Sequence, residues 1–154
     1  MNTVPASETY VIAEEFDKAL KLVRQALAER ELSVTTELDI TGNLYRGHGK
    51  KEKPMRLLLV DSAMLTFEAM ALDRAAGALI PLHILVSSDG DRTEVILTEP
   101  AALFDRRLPV GAAGPLEQIK TRVRAAIESA AARPDAERVG WEVCSDFRIC
   151  KKLH

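Results

Sequence analysis

The sequence predicts a two-layer α+β domain, a mostly antiparallel sheet with helices on one face. Three observations predict it. Short runs with an apolar period of two alternate with longer runs whose apolar residues recur at spacings of three and four. Two of the strand-like runs are joined by Ser88-Asp89-Gly90-Asp91, where Asp-Gly tolerates the positive φ of a tight hairpin. The chain has 154 residues, 47% apolar and 29% charged, enough to bury one core without disulfides or metals.

The elements follow in order. Residues 8–13 read as a short strand, and Glu14 opens a helix to about Arg30. Phe16, Leu20, Val23 and Leu27 form its apolar stripe, and Glu14, Glu15 and Asp17 sit where the helix dipole favours acids. In residues 33–41, Val34, Thr36, Leu38 and Ile40 alternate with Thr35, Glu37 and Asp39, as in a half-buried strand. Residues 42–54 read as a glycine- and lysine-rich loop. The apolar run 55–61 reads as a central strand, with Asp61 or Ser62 placed to cap the next helix. That helix, about 62–76, carries Leu65, Ala69 and Leu72, widened by Met64, Phe67 and Met70, with Gly77 as its stop. Residues 79–87 and 92–98 form the hairpin strands. Pro115 is placed to open a last helix to about Ala132, striped by Leu116, Ile119, Val123 and Ile127. The order is βαββαββα, followed by an extended C-terminal tail. Residues 1–133 make a single domain. Residues 134–154 are a tail whose Trp141, Val143, Phe147 and Ile149 alternate with polar residues, so its apolar face packs on the domain or on a second copy.

Composition removes several functions. The formal net charge is −2, so no global field steers the chain toward nucleic acid or an anionic membrane. Aromatic residues are 5% and none interleaves with cations as a base-stacking platform requires. The longest apolar stretch, around residues 78–86, is too short to span a bilayer. The start lacks the basic-then-apolar pattern of a secretory signal. With only Cys144 and Cys150, a cytoplasmic chain with reduced thiols is the expectation.

Between about residues 9 and 130 the chain resembles the bacterial and archaeal family called domain of unknown function 302. The resemblance rests on Leu38-Asp39-Ile40 closing a strand, the apolar strand Leu57-Leu58-Leu59-Val60, and Gly77-Ala78-Leu79-Ile80-Pro81 leading into another. The turn Asp89-Gly90 and the closing pair Glu99-Pro100 complete it. Asp61-Ser62 stands where the family often has an Asn-Pro-like pair. The resemblance implies a small α+β fold, a dimer and no settled activity, and it offers no catalytic residue to carry over.

Three segments can carry chemistry. The loop 42–54 gathers Arg46, His48, Lys50, Lys51 and Lys53 between glycines. Such cations on a pliant backbone can wrap a phosphate or carboxylate, although a solvated charged loop explains them too. It is not a P-loop, since Lys50 is followed by Lys51 rather than Ser or Thr. His83 alternates onto the face opposite Leu82 and Ile84, the open side of the sheet. There it can act as acid, base or ligand, or simply stay half-exposed. Histidines at 48, 83 and 154 without a paired spacing argue against a metal site. Neither a G-x-S-x-G elbow nor a G-x-G-x-x-G fingerprint occurs, and no cofactor is expected. Cys144 and Cys150 lack C-x-x-C spacing. They are either buried thiols or a redox pair brought together by a turn. The functional expectation is a homodimeric binding module for a small anionic ligand. The alternatives are a small enzyme or redox protein using His83 with a tail cysteine, and an assembly protein with no ligand.

Overall fold

The structure is a computed structural model and describes residues 7–49, 53–78, 80–98 and 113–131. Strands Ser7–Ile12 (β1), Ser33–Asp39 (β2), Met55–Asp61 (β3), Leu82–Asp89 (β4) and Arg92–Thr98 (β5) form one sheet in the order β1-β5-β4-β3-β2. Every pairing in it is antiparallel. The helices are Phe16–Ala28 (α1), Ile40–His48 (α2), Ala63–Leu72 (α3) and Ala113–Ala131 (α4), with a 3₁₀ turn at Arg74–Ala78 after α3. The eight expected elements are all present, and α2 is an addition. The tail, with Trp141, Cys144 and Cys150, lies outside the described residues.

Directly paired residues share one face of a sheet. Tyr10, Ile12, Leu58, Val60, Leu82, Ile84, Val86, Val95 and Leu97 all fall on the face toward the helices, and all are buried. Against them lie Phe16, Leu20, Val23 and Leu27 of α1 and Leu116, Ile119, Val123 and Ile127 of α4, the stripes expected from spacing. Helices α1 and α4 pack on each other, and Ala19 and Ala26 of the first and Ala126 and Ala130 of the second are fully buried. The opposite face carries Val11, Met55, Leu57, Leu59, Leu85 and Ile96, each only partly buried, and no described element covers it.

Three local expectations are corrected. Residues 42–48 are helix rather than loop. Asp39 caps α2 by accepting from the Gly42 amide at 2.8 Å, and Gly49, at φ 67°, ends it with its N–H on the Tyr45 carbonyl. In β2, the register slips between Val34 and Thr36. This bulge turns Leu38 onto the uncovered face, where it is 40% exposed, and brings Glu37 and Asp39 to the helix side. Helix α3 stops at Leu72 and buries only Leu65 and Ala69, so Met64, Phe67, Met70 and Leu72 are exposed. The chain then tightens into a 3₁₀ turn, and Gly77 lies inside that turn rather than ending α3. The hairpin follows expectation: Asp89 pairs with Arg92, and Gly90 takes φ 73°.

The edge strand β1 is tied to α4 through charge. Arg124 donates to Glu8 with Nε at 3.0 Å and a terminal nitrogen at 2.6 Å, and the Tyr10 hydroxyl donates to the same carboxylate at 3.0 Å. Burial alone would raise the Glu8 carboxyl. The hydrogen bonds from Arg124 and Tyr10 outweigh it and hold Glu8 below the usual carboxylate range. Burial and the Glu8 charge push the Tyr10 phenol up to about 12.

Two outcomes follow. Replacing fully buried Ile127 with alanine should lower stability by about 2–5 kcal/mol, seen as a lower urea midpoint at unchanged slope. Above pH 10 the unfolded chain loses the Tyr10 proton first, while the folded chain keeps it to about 12. Stability should therefore fall between those values, by about 2–3 kcal/mol. Tyr10→Phe should flatten that part of the profile in pH-dependent denaturant melts.

Candidate functional site

On the helix side of the sheet, beyond its β2–β3 border, lies an open cleft of about 490 Å³. Its walls are Phe16 and Asp17 at the start of α1, Asp39, Thr41, Gly42 and Tyr45 of the β2–α2 junction, and Pro54 and Arg56 at the entry to β3. The volume lies within the range of small-molecule sites. The segment singled out by the sequence therefore does line a cavity, though with other side chains than expected.

A chain of charges frames the cleft. Arg24 of α1 donates to both oxygens of Glu37, with a terminal nitrogen at 2.6 Å from each. Arg56 reaches Glu37 at 3.4 Å and Asp39 Oδ1 at 2.6 Å. Asp39 Oδ1 also accepts from the Gly42 amide at 2.8 Å. One line of alternating charge thus runs from α1 through β2 and β3 to the start of α2. The bulge in β2 makes this possible, because it places Glu37 and Asp39 on the helix side beside Arg56. Isolated surface pairs contribute little, but a bidentate arginine within a network holds its partners in fixed geometry. Thr41 Oγ1 donates to the Lys53 carbonyl at 3.0 Å and ties α2 back to the β3 entry.

The described residues of the expected ligand set make separate contacts. Arg46 bonds its own-helix neighbour Asn43. His48 is the last residue of α2, and Lys50 and Lys51 lie outside the described residues. Lys53 pairs with Asp89 across the β3–β4 end at 3.6 Å. His83 is exposed on β4 beside Leu59 of β3, on the face opposite Arg56 and the cleft. The structure thus does not bring His83 and the cleft together. Asp17, Asp39, Tyr45 and Arg56 were missed as site residues. The available signal was Asp39 as an N-cap with Gly49 as a helix stop, which together mark a short helix closing over Arg56.

A family model described as "Domain of unknown function DUF302" matches residues 8–133. The chain belongs to the DUF302 family. The crystal structure of an uncharacterized conserved DUF302 protein from Bacillus stearothermophilus superposes with a TM-score of 0.71 at 14% identity, covering 82% of this chain and 99% of that one. At that identity the likeness concerns the fold. No curated protein matches the chain.

All eight residues lining the cleft fall within the DUF302 span. Among the described residues no three His, Cys, Asp or Glu side chains gather as a metal ion would require. No described helix is long and apolar enough to cross a membrane.

The frame is testable at Gly42. A Cβ there would lie 2.6 Å from Asp39 Oδ2 and 2.9 Å from its Cγ, so the carboxylate would have to shift from its present place on the cap and Arg56. Gly42→Ala should therefore forfeit up to the usual cap loss, about 1 kcal/mol, against a helix gain of alanine over glycine of similar size. Combined with Asp39→Ala it should cost little more than either alone, a non-additivity that a double-mutant cycle of urea melts measures.

Proposed function

We propose that this DUF302 protein is a small-ligand-binding module that works as a homodimer. The observation that carries the binding part is the cleft itself. It is concave, mixes aromatic and charged walls, and is held by the Arg24–Glu37–Arg56–Asp39 chain. A site pre-organised in this way loses less entropy when it binds. The dimer part is supported by the uncovered sheet face. Strand spacing and rise give that face about 24 Å by 22 Å, so two copies face to face would cover about 1,000 Å² in total, the lower bound of a specific interface. A face that pairs with itself closes after two copies. No observation favours the enzyme or redox alternative, since His83 stands on the sheet face opposite the cleft, beside Leu59 and Thr98, and the cysteines lie outside the described residues. A cytoplasmic setting, where both thiols stay reduced, fits such a module.

Both parts have a direct test. In a fragment screen on the ¹⁵N-labelled chain, binders should move the amide resonances of residues 39–45 and leave those of 82–88 in place. Binders that moved only the β4 amides would overturn the cleft as the site. Sedimentation should give a dimer for the native chain and a folded monomer for Leu57→Asp or Leu85→Asp. A native monomer would remove the dimer.

A further inference from the structure

We infer that the cleft selects a small organic cation, an ammonium group carried on an aromatic or apolar body; this rests on the cleft being the ligand site. Charge bookkeeping is the first support. Among the described residues Arg56 is the one cation lining the cleft, and its guanidinium is engaged by Glu37 and Asp39. Glu37 is in turn held by Arg24, so two cations and two carboxylates cancel along this line. Asp17 also lines the cleft, and it has no partner among the described residues. The described lining residue left without an ion-pair partner is therefore a carboxylate, that of Asp17. An incoming anion would have to displace Asp39 from Arg56 at 2.6 Å while facing Asp17. An ammonium group meets Asp17 directly.

The helix ends bear on the same balance. Both α1 and α2 begin at the cleft, and their dipoles alone would favour an anion. Asp17 stands in the first turn of α1, and Asp39 is the N-cap of α2. Each end therefore already has its own carboxylate. Of the described cations nearby, Lys53 is paired with Asp89, and Arg46, whose hydrogen bond to Asn43 leaves its charge in place, is not among the residues lining the cleft.

The apolar walls supply the second support. Tyr45 is 55% exposed at the cleft, and Pro54 and Phe16 also line it. An open tyrosine ring and a carboxylate without an ion-pair partner on the walls of one cleft suit an ammonium group, through charge at one end and cation–π or stacking contact at the other.

The test uses two compounds of matched shape and opposite charge, phenethylammonium and phenylacetate, titrated into the ¹⁵N-labelled full chain. Phenethylammonium should move the Gly42 and Tyr45 amides with an apparent Kd at least roughly tenfold below that of phenylacetate, the ratio expected for one charge-assisted contact. Asp17→Asn, a change at an exposed position, should erase most of that ratio while leaving the rest of the spectrum folded. Equal binding of the two compounds, or tighter binding of phenylacetate, would overturn the charge selectivity and leave the cleft as a site. If neither compound, nor any fragment of either charge, moved the cleft amides, the ligand-binding function would fail with it.

Discussion

Antiparallel register forces directly paired residues onto one face, and in this domain that rule sorts nearly every side chain. Four pairings carry the parity from β1 through β5, β4 and β3 to β2. The row Leu58–Ile84–Leu97 and the row Val86–Val95–Tyr10 face the helices and are buried. A one-residue slip in any strand would exchange those rows for Leu57, Leu85 and Ile96. The helices α1 and α4 can cover the sheet only because their own apolar stripes meet a continuous surface of this kind.

The same parity places polar chemistry at both ends of the buried face. At the β1 end, Glu8 continues the Leu58–Ile84–Leu97 row and meets Arg124. At the other end Glu37 continues it and meets Arg24 and Arg56. Carboxylates thus terminate the hydrophobic row on both sides, each matched to a bidentate arginine from a covering helix. Arginine suits that role because its planar fork fixes geometry while its stem packs on apolar surface. The cleft is a by-product of one of these terminations, where α2 closes over Arg56.

Much of this was legible in the sequence. The stripes of α1 and α4 were plain because their spacing of three and four is unbroken, and the Asp89-Gly90 turn carries its own backbone requirement. Helix α2 was hidden because Gly42, Gly47 and Gly49 sit within eight residues and glycine ordinarily argues against helix. Its stability comes instead from its two ends, the Asp39 cap and the left-handed Gly49. The bulge in β2 was also invisible, since alternation across Val34, Thr36 and Leu38 looks regular, and only pairing with β3 shows where the extra residue sits. That single miss reversed the face of Glu37 and Asp39 and so concealed the site. In α3 composition misled, because a helix apolar on all sides gives no periodic signal of which residues are covered.

The β2 bulge has a second consequence, for how the sheet ends. A flat outer strand offers a row of free amides and carbonyls to any extended chain that drifts past. Here the ladder is interrupted at Val34 and Thr36, and the Thr35 hydroxyl is turned inward to the Leu59 carbonyl at 3.1 Å. Glu37 and Asp39 add carboxylates beside the same border. A passing strand therefore meets a broken template edged with charge, and the sheet resists growing past β2 into a fibril-like stack. The irregularity that aims two carboxylates at Arg56 also breaks the template that this border strand would otherwise offer.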